Sequence, residues 1–297
     1  MIYKTIFSTF YNHVRLCYPM KEVETMIHLK SIIFSNVGRT EFPYHLPFFG
    51  KEFIFSSPVT LFVGENGSGK STLLELLDEV LKLYKINSKQ LEHKELKMTL
   101  KDASSSLKCQ FEGKKPKGFF FSAEDFTSYI HYLIQEKNES FNELKRVEME
   151  YKNKSELSKS LARMPFVRTI NEIDSLYERD LLKSSHGEAY LDFFKSRIHS
   201  HEIYLLDEPE TPLSIQNQLA LLSIIDEGIK NGNQFLIATH SPILMAIPYA
   251  KIYRFDERKV ELTRYEDIES VRLLKQFMNY PESFFRHLYQ EDPKEQE

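Results

Sequence analysis

Nine consecutive residues, Gly64, Glu65, Asn66, Gly67, Ser68, Gly69, Lys70, Ser71 and Thr72, satisfy the pattern G-x-x-x-x-G-K-[ST] in full. A loop of this type wraps a phosphate chain with backbone N–H groups. Its glycines stand where a Cβ would block that approach, and Lys70 brings a point charge to the outer phosphates, while Ser71 offers a hydroxyl to Mg²⁺. Two acids follow much later. Asp207 and Glu208 close the apolar run 203–206, which places Asp207 at the carboxyl edge of a parallel sheet, able to hold Mg²⁺ beside Ser71. Glu208 points elsewhere from that edge and can orient or deprotonate an attacking water. A second apolar run, 235–239, delivers His240 to the same edge, within natural reach of a γ-phosphate.

Other residues carry weaker chemistry. Ser184-Ser185-His186-Gly187-Glu188 reads locally as an N-cap with a capping box between Ser185 and Glu188, but its position between the nucleotide motifs gives it a functional reading as well. Tyr44, in the proline-punctuated stretch 42–50, is a candidate to stack on an adenine ring, against the plainer reading of a core aromatic. The turn Gly113-Lys114-Lys115-Pro116-Lys117 beside Phe119, Phe120 and Phe121 offers a nucleic-acid patch, or more plainly a solvated loop next to buried rings. His199 and His201 form an H-x-H pair without a third ligand, so no metal site is read there.

The elements that must position these groups are legible around them. The apolar run 58–63 reads as a buried strand entering the glycine loop, and Leu73, Leu76, Leu77, Val80 and Leu81 recur at helical spacing after it, so a helix N-terminus faces the loop. Residues 27–35 suit a strand broken at Asn36-Val37-Gly38. Residues 106–111 and 118–121 read as two strands joined by the basic turn. From 124 to about 182 the pattern is charged and helical, with Phe141, Leu144, Val147 and Tyr151 on a narrow apolar stripe. A helix opens after Ser214, with apolar positions Ile215, Leu219, Leu222, Ile225 and Ile229, and ends at Asn231-Gly232. A hairpin, 252–255 with 260–263, and a helix near 269–278 complete the chain.

Composition narrows the class. The chain has 297 residues, 41% hydrophobic and 28% charged, as ordinary globular proteins do, and no run approaches the ~18 apolar residues of a membrane span. A formal net charge of -4 opposes a chain-wide hold on nucleic acid and leaves only a local basic groove open. Cys17 and Cys109 cannot build a disulfide framework or a four-cysteine zinc site, which points to a cytoplasmic protein. Residues 1–19 lack the features of a signal peptide, and Met20 and Met26 are alternative starts to Met1.

Taken in order, GENGSGKST, SSHGE, IYLLDEPE, TPLS and ATHSP resemble the motif set of the nucleotide-binding domain of ABC-type ATPases, and more closely the small stand-alone bacterial ATPases grouped as AAA family. The resemblance implies an α/β P-loop fold with a mixed, mostly parallel sheet flanked by helices and a helical subdomain carrying the signature motif. It implies a core lobe over 26–122, a helical subdomain over 123–200, a second core lobe over 201–290, an N-terminal extension over 1–25 and an acidic tail over 291–297. It further implies an ATP hydrolase whose two copies close head to tail over Mg-ATP. In that scheme residues 64–72 bind phosphate, Ser71 and Asp207 serve Mg²⁺, and Glu208 is the base. Leu213 and Ser214 lie on the D-loop, His240 is the switch histidine, and Ser185 and Gly187 reach across to the partner copy. A protein partner encoded nearby is implied, with nucleic acid the weaker alternative and no membrane insertion. Two departures weaken a transporter role: the usual L-S-G-G-Q signature reads Ser184-Ser185-His186-Gly187-Glu188, and Ser122 stands where a glutamine is usual. The chain also ends too early for an appended nuclease domain.

Overall fold

The structure is a computed structural model that describes residues 26–35, 38–85, 94–175 and 186–288. Three strands form a small antiparallel sheet: β1 (Leu29–Phe34) lies between β2 (Glu52–Ile54) and β5 (Leu107–Phe111). Seven form the main sheet, built on β3 (Val59–Gly64), β4 (Tyr84–Lys85), β6 (Gly118–Ser122), β7 (Ile203–Asp207), β8 (Gln234–Ala238), β9 (Lys251–Phe255) and β10 (Val260–Thr263). Its order is β10-β9-β3-β8-β7-β6-β4, parallel except for the β9–β10 hairpin at one edge.

Parallel strands covered on both faces read as continuous apolar runs, and here alternate residues serve opposite layers. Leu61, Phe119, Phe121, Tyr204, Leu206, Phe235 and Ile237 pack into one core, whereas Phe62, Phe120, Ile203, Leu205, Leu236 and Ala238 pack into the other. The first core is closed by α3 (Ala123–Glu150), α5 (His186–Arg197) and α6 (Ile215–Lys230). The second is closed by α1 (Lys70–Leu81), α2 (Lys94–Ser104) and the small sheet. Strand register lines up the carboxyl ends, with Phe62 opposite Ala238, Ala238 opposite Asp207 and Asp207 opposite Ser122.

Several expectations change. The strands flanking the basic turn do not pair: β5 joins the small sheet and β6 the main one, so the turn bridges two layers. Phe119, Phe120 and Phe121 are all buried, and Lys115 Nζ donates to the Val80 carbonyl at 2.7 Å near the end of α1. The plain reading of that turn therefore holds, because its aromatic half is core. On α3, Val147 is buried but Phe141 is 41% exposed, so the stripe read there is incomplete. Helix α4 (Glu156–Ser175) folds back on α3, and Lys137 of α3 is buried against Asp174 of α4 in an ion pair of 2.5 Å. On α6 the face read from spacing holds in part. Ile225 is buried and Leu222 and Ile229 pack against the first core, but Ile215 and Leu219 are 67% and 52% exposed, and Leu221, Ile224 and Gly228 are buried in their place. The C-terminal hairpin and α7 (Glu269–Asn279) lie where spacing places them, and a further helix, α8 (Pro281–Leu288), follows.

Candidate functional site

The phosphate-loop residues turn from β3 directly into α1, whose N-cap is Gly69 with φ 96°. Two glycines have steric reasons to be there. At Gly64 (φ 153°) a Cβ would lie 2.3 Å from the Phe255 carbonyl oxygen of β9, and at Gly69 it would meet Leu46 and Phe48 at 3.2 Å. The first turn of α1 leaves its N–H groups without helical partners, and the helix dipole adds partial positive charge at the same end. Lys70 is only 4% exposed; its Nζ donates to the carbonyls of Gly64 (2.9 Å) and Glu65 (2.8 Å). Burial holds its pKa below the ordinary lysine value, with Glu208, Asp207 and Glu210 opposing that shift.

Across the sheet edge the Ser71 hydroxyl donates to Asp207 Oδ1 at 3.0 Å. These residues are 136 positions apart in the chain, and together they present a hydroxyl and a carboxylate oxygen, the hard donors that Mg²⁺ takes. The Asp207 carboxyl is pushed up to about 6, chiefly by burial, with the Ser71 hydrogen bond pulling the other way. Glu75, one turn beyond Ser71 on α1, is pushed up to about 7 by burial and then by Asp207. Sequence spacing does not reveal Glu75, since its position depends on the strand that α1 packs over.

The folded pKa of Asp207 lies above the usual 3.8, so the metal-free native state holds a proton that the unfolded chain has lost. Stability from this group is therefore highest at low pH and falls as pH rises from about 4 to about 6. Asp207→Asn should raise the melting temperature of metal-free protein at pH 8 and change it little at pH 4, below the window in which the carboxyl loses its proton. Equal shifts at both pH values would refute the linkage.

Glu208 occupies the left-handed region at φ 47°, which a non-glycine residue holds only when its surroundings impose it. Its N–H donates to the Ala238 carbonyl (2.9 Å), its carbonyl accepts from Thr211 N (3.1 Å), and its Oε2 accepts from the Thr211 hydroxyl (3.3 Å). That conformation turns its carboxylate toward His240, with Oε1 3.5 Å from His240 Nε2. His240 Nε2 is buried without a hydrogen-bond partner, an orphan that a phosphate oxygen or water would satisfy. Burial and then the Lys70 charge hold the His240 pKa below its usual value, so the ring is neutral at pH 7.

A cleft of about 330 Å³ opens over the loop and is lined by Asn66, Gly67, Gly69, Lys70, Ser71, Thr72 and Glu208, with Phe42, His45 and Leu46 on its far wall. Tyr44 is not among them. It is buried, and its hydroxyl donates to Asp102 Oδ2 (2.9 Å) while Arg39 donates to it (3.0 Å), which anchors the stretch 42–50 to α2. The aromatic groups that face the cleft are Phe42, 41% exposed, and His45, their ring centres 6.1 Å apart. Ser122 is the N-cap of α3, accepting from Asp125 N. Gly187 lies in the first turn of α5, and Ser185 lies outside the described residues. Among the described residues no group of three or more His, Cys, Asp or Glu is placed to hold a metal ion.

Known proteins share likenesses with this chain. Residues 51–196 match the family described as AAA ATPase domain. A protein of Methanosarcina acetivorans described as an ABC transporter ATP-binding protein is 27% identical over 228 residues, covering 73% of this chain and 74% of that protein. The ADP conformation of an ATP-binding cassette of an ABC transporter overlaps 90% of this chain and 100% of its own at 16% identity and TM-score 0.41. The Smc head domain of Pyrococcus furiosus, bound to the C-terminal domain of ScpA, overlaps 84% of this chain and 99% of its own at 15% identity and TM-score 0.41.

Proposed function

We propose that this chain, whose residues 51–196 match the AAA ATPase domain family, binds Mg-ATP over Gly64–Thr72 and transfers the γ-phosphoryl group to water. The observation that supports this best is that Lys70, Ser71 and Glu208 line one cleft, with Asp207 bonded to Ser71 and His240 beside Glu208, all brought there by the ends of three strands. Phosphoryl transfer needs little covalent chemistry from protein groups; positioning and charge neutralisation supply most of the acceleration. Loop amides and Lys70 hold the phosphates. Glu208 accepts a proton from, or orients, the attacking water. Neutral His240 offers its ring nitrogen to the γ-phosphate or to that water. Ser71 and Asp207 would hold Mg²⁺, which when bound neutralises charge developing on the outer phosphates. Among the described residues no helix is long and apolar enough to cross a membrane.

Hydrolysis in this reading requires two copies head to tail, Ser185 and Gly187 of one closing over the loop of the other. Sedimentation with and without Mg-ATP tests that step: a monomer under both conditions while turnover continues would refute it. Phe42 and His45 supply the base platform in the same reading. Phe42→Ala should raise KM for ATP by about 5- to 100-fold, the usual cost of removing a stacked aromatic, with little change in kcat. An unchanged KM would remove the platform from the site.

A second reading, a nucleotide-governed switch for a protein partner, is favoured by exposed apolar side chains at the turn end of the α3–α4 pair: Met149 (71%), Leu157 (71%) and Leu161 (57%). Turnover measured with and without proteins encoded beside this one separates the two, since brisk hydrolysis alone disfavours the switch. The description of the Methanosarcina relative would make this chain a transporter subunit. Ser122, a helix cap where a glutamine is usual, counts against that role.

A further inference from the structure

The hydrolytic pair Glu208 and His240 comes from two parallel strands whose main-chain ladder stops just short of it. The last paired residues of β7 and β8 are Asp207 and Ala238, and the Glu208 N–H closes the ladder on the Ala238 carbonyl at 2.9 Å. Beyond that point Thr239 turns to the other neighbour, donating its N–H to Phe62 of β3 at 3.1 Å. The next two amides, those of His240 and Ser241, both donate to one side-chain oxygen, Glu210 Oε1, at 2.6 Å and 3.0 Å. Glu210 is two residues from Glu208, so one short segment displays the acid and also holds the main chain of the histidine. The segment is pinned from its other side too: the Tyr190 hydroxyl, on a fully buried ring of α5, donates to the Pro209 carbonyl at 2.5 Å. The turn that follows is fixed by Ser241, whose hydroxyl donates to Gln218 Oε1 (2.7 Å) and accepts from Ile243 N (3.1 Å).

We propose that Glu210 is the positioning residue of the hydrolytic pair: its carboxylate replaces the missing ladder between β7 and β8 and sets His240 against Glu208. Its Oε1 is taken up by these two amides, so it acts through the main chain of His240. Two amides donating to one carboxylate oxygen form charge-assisted bonds with a narrow geometry, which suits a group that transmits position. Nothing in the local sequence marks the role, because an acid after Asp-Glu-Pro reads as one more surface charge. The inference rests on Glu208 acting as the hydrolytic base.

Two isologous variants test it with ATP itself as the probe. Glu210→Gln keeps an acceptor oxygen at the same reach without the charge, and Glu210→Asp keeps the charge but draws it back by one methylene. Positioning requires that Asp lower kcat by about 100-fold, the cost of a misplacement near 1 Å, with KM and the affinity for a fluorescent ATP analogue held within about threefold. The Gln variant should stay within about fivefold of wild-type kcat, the loss expected for weakened hydrogen bonds. Thermal melting of each variant runs alongside. A Gln variant that folds yet is as slow as Asp would assign the effect to charge and overturn the proposal, as would losses in kcat that track melting temperature. Should the Asp variant fail to fold, the Gln variant decides alone, since a folded Gln protein slowed more than about tenfold contradicts positioning. Wild-type protein without any ATP hydrolysis would overturn the reading of the whole site, an outcome separate from active wild type with an unaffected Asp variant, which overturns the role of Glu210 only.

Discussion

Glu208→Gln stops turnover and leaves nucleotide binding in place. The expected fall in kcat is about 10²- to 10⁴-fold, the range for loss of a general base. Glutamine has the same shape and can keep the backbone bond to Ala238 and the contact with the Thr211 hydroxyl that hold residue 208 at φ 47°. What it lacks is the carboxylate, 3.5 Å from His240 Nε2, that can take a proton from water. Because the side chain lines the cleft rather than the loop, affinity for Mg-ATP should change by less than about threefold. Phosphate release in single-turnover conditions, beside equilibrium binding of the nucleotide, measures both quantities. Hydrolysis at the wild-type rate would remove Glu208 from the chemistry.

The second large effect is at Lys70, where alanine should abolish binding rather than slow a step. The buried ammonium donates to the Gly64 and Glu65 carbonyls, inside the loop proposed to hold the phosphates. Losing one member of a buried charge contact costs about 2–5 kcal/mol, which is roughly 30- to 4,000-fold in affinity. Lys70→Arg should not rescue it, because a planar guanidinium does not fit a loop shaped around a compact ammonium. Calorimetric titration with Mg-ATP reads the loss, and circular dichroism on the same sample checks folding. A folded Lys70→Ala protein that binds ATP normally would contradict the assignment of the loop.

Some of this was legible beforehand for a clear reason. A phosphate loop is contiguous, and so is an apolar run closing on an acid or a histidine, so Gly64–Thr72, Asp207-Glu208 and His240 announce their chemistry in short windows. The β9–β10 hairpin and α7 are likewise local. The misplaced expectations share the opposite character. Whether Tyr44 or Phe42 faces the cleft depends on how the stretch 42–50 is anchored to α2 by Asp102, a residue some sixty positions away. Which face of α6 is buried depends on the sheet it covers, and Ile215 and Leu219 satisfy helical spacing while pointing outward.

The sequence alone therefore determined the phosphate-binding segment, the acids and histidine that accompany it, and the α/β class, since each follows from backbone geometry and side-chain type within a few residues. Only the tertiary structure decided that β8 lies between β3 and β7, so that His240 sits between the loop and Glu208. It alone made Glu210 the bridge between two strand ends. Strand order and side-chain reach across a sheet come from packing between segments far apart in the chain, and the composition of any one segment does not encode them.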